Sequence, residues 1–177
     1  MNRTPWTSTV DIRSFRDALG EFATGVVVVT AVAPGGERIG FTVSSFNSVS
    51  LDPPLVLFSI ARSAFSLGAF VDAKKFAVNV LHAGQEEVSS RFARALESKW
   101  SGLDWPSGRN GSPVAPEPLA LFECDSYAHY DGGDHVIVVG RVTRFVKNGG
   151  RDPLLFFRGT YHKLLESNVI AARQKCS

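Results

Sequence analysis

Val26-Val27-Val28-Val29-Thr30-Ala31-Val32, closed by Pro34-Gly35-Gly36, is the stretch whose reading decides the fold. Six of these seven residues are apolar and mostly β-branched, which suits a strand buried on both faces. The Pro-Gly-Gly punctuation then turns the chain, and Arg38 to Ser45 returns as a second strand. Upstream the period is different. Ile12, Phe15, Leu19 and Phe22 recur at helical spacing within residues 11–23, with Asp11 as N-cap and Gly25 just past the end. Downstream, Leu55 to Ile60 reads as a strand, with Pro53 and Pro54 confined to its entry. Ser63 is placed to cap a short helix through Phe70. Phe76 to Leu81 is strand-like again, and Glu86 to Leu96 is amphipathic at helical spacing.

Residues 99–118 hold two Trp, four Pro and three Gly. That aromatic content predicts a long ordered loop rather than a disordered one. The last third is β in character. Leu119 to Tyr130 and His135 to Val146 flank Asp131-Gly132-Gly133-Asp134, a hairpin tip, and Leu154 to Phe157 adds a final strand. The elements never settle into alternating strand and helix. About seven strands with a few short helices predict a mainly β fold, one closed antiparallel barrel with peripheral helices. The length of 177 residues suits one domain spanning 1–177, with its core at about 12–165.

Composition excludes several classes. Lys and Arg number 19 against 17 Asp and Glu, a formal charge of +2, and the cations are scattered. No polyanion-binding patch results, so nucleic acid is not an expected partner. No uncharged apolar run approaches the roughly 20 residues that span a bilayer. Met1 to Trp6 lacks the apolar stretch of a signal peptide, so the expectation is a reducing cytoplasm and no membrane. Cys124 and Cys176 are too few for a disulfide framework or a paired-spacing zinc site, and Cys124 reads as a buried, inert thiol.

Motifs of common chemistries are missing too. There is no Gly-x-Gly-x-x-Gly between strand and helix, no phosphate-binding Gly-x-x-x-x-Gly-Lys-Ser/Thr and no Gly-x-Ser-x-Gly elbow. His129, Asp131, Asp134 and His135 cluster within seven residues, but Asp-Gly-Gly-Asp is hairpin chemistry first, and no metal is expected there.

One segment stands apart. In Gly40-Phe41-Thr42-Val43-Ser44-Ser45-Phe46-Asn47-Ser48-Val49-Ser50, five hydroxyls fall within nine residues and interleave with apolar side chains. A solvated polar strand edge is one account. A flat apolar ligand with hydrogen-bonding edges is the other, and an isoalloxazine ring is such a ligand. Ala61-Arg62-Ser63, at the start of a predicted helix, supplies N–H, hydroxyl and cationic groups for a phosphate.

These residues, together with Ala23-Thr24-Gly25-Val26, Ser48-Val49-Ser50-Leu51-Asp52-Pro53-Pro54, Phe76-Ala77-Val78-Asn79-Val80-Leu81, Gln85 to Phe92 and Trp105 to Pro113, carry a resemblance. So do Gly133-Asp134-His135, Gly140-Arg141-Val142 and Pro153-Leu154-Leu155 leading to Arg158-Gly159-Thr160-Tyr161. In order and spacing the chain resembles the flavin reductase family, the short reductase components of two-component flavin-dependent monooxygenases. It is similar to the 4-hydroxyphenylacetate and phenol hydroxylase reductases from about Phe15 to Leu164.

The resemblance implies a split β-barrel, a homodimer and FMN or FAD in a groove near the dimer interface, with NADH or NADPH as cosubstrate. It implies that Thr42, Val43, Ser44 and Ser45 line the isoalloxazine, and that Ser59, Ala61, Arg62 and Ser63 lie toward the ribityl phosphate. Phe92 would pack on the flavin, and His135, Phe156, Arg158 and Tyr161 would lie by the nicotinamide, with His135 orienting it. Reduced flavin would diffuse to a separate oxygenase. Two rivals remain. One is a flavin-binding electron carrier that does not turn over NAD(P)H. The other is an oxidase of pyridoxamine-phosphate type, which needs a basic cluster that the sequence does not show.

Overall fold

A computed structural model describes residues 10–95 and 98–164. Its strands are β1 (Thr24–Gly25), β2 (Val27–Val32), β3 (Arg38–Val43), β4 (Asn47–Leu51), β5 (Pro54–Ala61), β6 (Lys75–Val80), β7 (Ala120–Gly132), β8 (His135–Lys147), β9 (Leu155–Phe157) and β10 (Thr160–His162). Three helices accompany them, α1 (Ile12–Gly20), α2 (Leu67–Asp72) and α3 (Glu86–Ala93). None of the described helices is long and apolar enough to cross a membrane.

Seven strands form one antiparallel sheet in the order β3-β2-β6-β7-β8-β5-β4, and β1, β9 and β10 form a small second sheet. The valine run behaves as its composition requires. Val27, Val29 and Ala31 enter one core with Phe41, Phe58, Phe70 and Phe76, whose neighbouring ring centroids lie 5.1–5.9 Å apart. Val26 and Val28 enter a second core with Leu81, Phe92, Trp105 and Leu154. A strand buried on both faces has no solvent side, hence no polar alternation.

The expected closed barrel is not formed. β3 and β4 end the sheet at opposite edges and are not hydrogen-bonded to each other. α3 and Lys99 stand against the β3 edge instead: Thr42 Oγ1 donates to the Ser89 carbonyl at 2.7 Å, and Lys99 Nζ to the Gly40 carbonyl at 3.2 Å. One main-chain acceptor of β3, the Gly40 carbonyl, is thus taken by a side chain. At the other side of the gap β4 leaves β5 after the Asn47–Leu57 pair. The next amide on that edge, Ser59 N–H, donates to Ser45 Oγ at 2.9 Å, so one hydroxyl continues the ladder where the strand stops.

Other boundaries moved for local reasons. Asp11 caps α1, accepting the Ser14 amide at 2.8 Å, but the helix ends at Gly20 with Glu21 as C-cap, and Gly25 pairs with Leu155 in β1. Ser66 rather than Ser63 precedes α2. α3 stops at Ala93 because Arg94 is extended; Leu96, in the predicted helix, lies outside the described residues. β1, β4 and β10 are too short or too polar to announce themselves.

The loop of residues 99–118 is ordered, as its aromatics imply, because polar groups of the buried sheet hold it. Thr30 Oγ1 donates to the Pro113 carbonyl, Asn79 Oδ1 accepts the Ala115 amide at 2.9 Å, and Asn110 Nδ2 donates to the Phe76 carbonyl at 2.9 Å. Cys124 is buried, and burial pushes its thiol up to about 12, which keeps it protonated and inert. Cys176 lies outside the described residues.

Glu123 is the buried carboxylate of this scaffold, 1% exposed. Burial pushes its acidity toward the neutral form. The Asn110 amide at 2.9 Å and the Arg144 guanidinium at 2.6 Å outweigh that and hold the carboxyl below its ordinary value. Its stabilising contribution is therefore complete above the unfolded-state value of 4.5 and is lost as pH falls through the lower folded value. Glu123→Gln should cost about 2–4 kcal/mol at neutral pH, because it leaves Arg144 without its counter-charge. In urea titrations the gap from the parent protein should narrow as pH drops below that range. A gap that stays constant from neutral to strongly acidic pH would contradict this account.

A hydroxyl-lined cleft at the open edge of the sheet

The gap between β3 and β5 opens into a cleft of about 870 Å³. One wall is β3 itself, from Arg38 to Val43, continued by Ser44 and Ser45. Opposite stand Ser59, Ile60 and Ala61 of β5 and the turn from Ala64 to α2. Phe92, Arg94, Lys99 and Trp100 close one end, and His135 borders the β5 side. Apolar faces of Ile39, Val43 and Ile60 thus alternate with hydroxyls and with backbone polar groups of an edge strand.

The hydroxyls differ in what they have left to offer. Thr42 has given its proton to the Ser89 carbonyl at 2.7 Å, whereas Ser45 Oγ accepts the Ser59 amide at 2.9 Å and donates to the Ser59 carbonyl over a longer 3.4 Å. Among the described residues, the Ser44 and Ser59 hydroxyls have no side-chain hydrogen bond.

His135 reaches the cleft because the β5–β8 register pairs it with Ala61. Its Nδ1 lies 2.7 Å from Asp134 Oδ1, and this hydrogen bond holds the Asp134 carboxyl below its usual range. The ring is therefore oriented by its neighbour in sequence while remaining part-exposed. Phe92 lines the cleft but is only 1% exposed, wedged against Trp100 and Trp105 at 4.9 and 5.0 Å. It is a wall more than a contact surface.

Of the thirteen positions singled out from sequence, eight line the cleft: Thr42, Val43, Ser44, Ser45, Ser59, Ala61, Phe92 and His135. The other five stand off its wall, each for a visible reason. Arg62 turns away to the hairpin tip, donating to the Gly133 carbonyl at 2.8 Å and pairing with Asp131 at 2.6 Å, with Ser63 following it out of the strand. Phe156 and Tyr161 pack together, at 5.7 Å, on the second core, and the Tyr161 hydroxyl meets Ser89 Oγ at 2.8 Å. Arg158 makes a forked pair with Glu21, which raises its own proton affinity. The polar hairpin cluster is divided in the same way: Asp131 to Arg62, Asp134 to His135 and His129 to Ser126.

Arg38, Arg94, Lys99 and Trp100 on the wall were not anticipated from sequence. Lys99 Nζ donates to the Gly40 and Phe92 carbonyls at 3.2 and 3.1 Å, and burial lowers its proton affinity. Arg38 lies over the Trp100 ring at 5.8 Å. Scattered cations in a loop and at a strand start carry no periodic signal. Only the fold gathers them.

Comparison with known proteins places the chain among flavin-handling proteins. The flavin reductase like domain model matches residues 19–165. The chain is 52% identical over 149 residues to the FMN reductase (NADH) SmoA of Agrobacterium fabrum, an alignment covering 84% of each protein. It is 44% identical over 151 residues to the stachydrine N-demethylase reductase subunit of Rhizobium meliloti. The chain spans 65% of that relative's length and 48% of a second one from the same organism, covering 85% of itself in both cases. Among solved structures, the NADH:FAD oxidoreductase SgcE6 of Streptomyces globisporus, in complex with NAD and FAD fragments, superposes with a TM-score of 0.84. The identity there is 34%, over 92% of this chain and 98% of that one.

Gly40 is the position where cleft and core meet. A Cβ there would lie 2.4 Å from Phe92 Cε1 and 2.9 Å from Trp100 Cζ2, and Phe92 is boxed in by two tryptophans. Gly40→Ala should therefore lose about 1–3 kcal/mol in urea unfolding. Gly68→Ala, whose added methyl meets open space, serves as control and should not. Equal stability of both variants would remove the close-approach argument.

Proposed function

Since the chain belongs to the flavin reductase like family, we propose that it is an NAD(P)H-dependent flavin reductase passing reduced FMN or FAD to a separate monooxygenase. The observation that carries this reading is the cleft itself. Its volume falls in the range of roughly 300–1,000 Å³ usual for small-molecule sites. Its donor set suits an isoalloxazine: apolar side chains for the ring faces, with hydroxyls and edge-strand groups for the polar rim. Related proteins support the activity and the cosubstrates by their names, NADH with FMN for SmoA and NADH with FAD for SgcE6.

A bound flavin would supply the hydride-accepting ring, and the chain's residues have the task of placement. Thr42, Val43, Ser44 and Ser45 form the wall for that ring, and Ser59 and Ala61 lead toward its side chain. His135, which lines the cleft and is steadied by Asp134, is the residue we assign to orienting the nicotinamide. Hydride transfer requires no side-chain acid–base pair, and none of these residues is assigned one. Arg38, Arg94 and Lys99 give the cleft a positive rim suited to phosphate-bearing ligands.

We read the open seven-stranded sheet with its small companion as a split β-barrel within one domain. A homodimer is supported by the apolar face of α1 and the turn after it, where Ile12, Phe15 and Leu19 of the helix and Phe22 beyond it are all more than half exposed. A reducing cytoplasm suits the buried free thiol of Cys124.

Two measurements test the proposal. NADH or NADPH oxidation by the purified protein should depend on added FMN or FAD; tightly held flavin without nicotinamide oxidation would make it an electron carrier instead. His135→Ala should raise the KM for the nicotinamide about three- to tenfold, the worth of one hydrogen bond, with little change for flavin. Unaltered kinetics would remove His135 from the site.

A further inference from the structure

Thr42 faces the cleft with a hydroxyl whose proton is already committed. Its Oγ1 lies 2.7 Å from the Ser89 carbonyl oxygen, and a carbonyl can only accept. Ser89 is fully buried on α3, and its Oγ is held from behind by the Tyr161 hydroxyl at 2.8 Å. The carbonyl therefore stands on a fixed element, and the part of Thr42 Oγ1 left toward the cleft is lone pair alone. Ser45 is held less tightly. Its Oγ accepts the Ser59 amide at 2.9 Å and donates to the Ser59 carbonyl over 3.4 Å, a long bond that a ligand acceptor can replace.

This polarity selects a ligand edge. Oxidised isoalloxazine carries one ring N–H, at N3, while N1, N5 and both carbonyl oxygens accept. We propose that Thr42 is an obligate acceptor for the flavin N3–H, and that the Ser89 carbonyl is the positioning group that makes it so. Turned the other way, the ring would set acceptor against acceptor, leaving a desolvated pair of lone pairs in a part-buried wall. The proposal rests on the flavin reading of the cleft and adds to it the register of the ring along β3.

The test is a cycle between protein and ligand, read by flavin fluorescence titration of the oxidised forms without nicotinamide. Thr42→Val keeps the β-branched shape and removes the acceptor. Thr42→Ala repeats the experiment with more space, and Thr42→Ser restores the hydroxyl. FMN should bind Thr42→Val and Thr42→Ala about 5- to 20-fold more weakly than the parent, with Thr42→Ser close to it. N3-methyl-FMN, which has no N3–H, should bind both apolar variants at least as tightly as the parent. If the variants weaken both ligands by the same factor, or neither, the assignment is overturned while flavin binding stands. If the parent protein leaves the fluorescence of FMN, FAD and riboflavin unchanged, the flavin reading fails and this assignment with it.

Discussion

A helix laid along the free edge of a strand governs the architecture of this chain. β3 has β2 on one side and, on the other, α3 with Lys99, which take the Thr42 hydroxyl and the Gly40 carbonyl. β3 and β4 end the sheet at opposite sides and do not pair, so the sheet stays open. Gly40 is what lets the helix come close, because any side chain there would collide with Phe92. The same contacts explain why Phe92, Trp100 and Trp105 form a tight aromatic block: it is the base on which α3 and the long loop rest. The open edge is thus a built feature, backed by one of the two cores.

The opening creates a cleft of mixed character. Hydrogen-bonding groups that would be satisfied in a closed barrel are instead divided between protein partners and the cleft. Ser45 completes the β5 ladder by accepting the Ser59 amide and gives its proton to the Ser59 carbonyl over a long 3.4 Å, while Thr42 gives its proton to the Ser89 carbonyl at 2.7 Å. Three cations stand around the rim with Glu37 beside them. A large apolar ring with polar edges and an anionic tail matches such a wall, which is why the proposed chemistry needs positioning and little else. His135 fits that pattern, being oriented by Asp134 from the tip of a long hairpin and not by a buried relay.

The residues that stand away from the cleft have structural work of their own. Arg62 and Asp131 lock the end of β5 to the β7–β8 tip, and Arg158 with Glu21 ties the small sheet to the end of α1. Both are exposed pairs, so their worth lies in geometry more than in stability. Tyr161 joins β10 to α3 through Ser89 and so connects the small sheet to the cleft wall. The small sheet therefore bears on the site without lining it.

Much was legible in the residues alone. The valine run, the Pro-Gly-Gly turn, the two-glycine hairpin and the interleaved hydroxyls pointed to a mainly β chain with a hydroxyl-rich stretch after its first hairpin, because period and composition are local properties. Eight of the cleft's residues were named from such stretches and from the family resemblance they carry. Tertiary structure decided the rest. That β3 and β4 end the sheet without meeting is a property of the whole strand order, and α3, which packs on β3, lies far along the chain from both. The burial of Phe92, the capture of Arg62 and Arg158 by distant carboxylates and the arrival of Lys99 at the β3 edge are contacts between segments widely separated in sequence. Sequence determines which groups a chain carries and which elements they form. Which hydroxyl is held by a short bond to the protein and which by a long one is settled only by packing, since a hydrogen bond depends on where both of its ends are held.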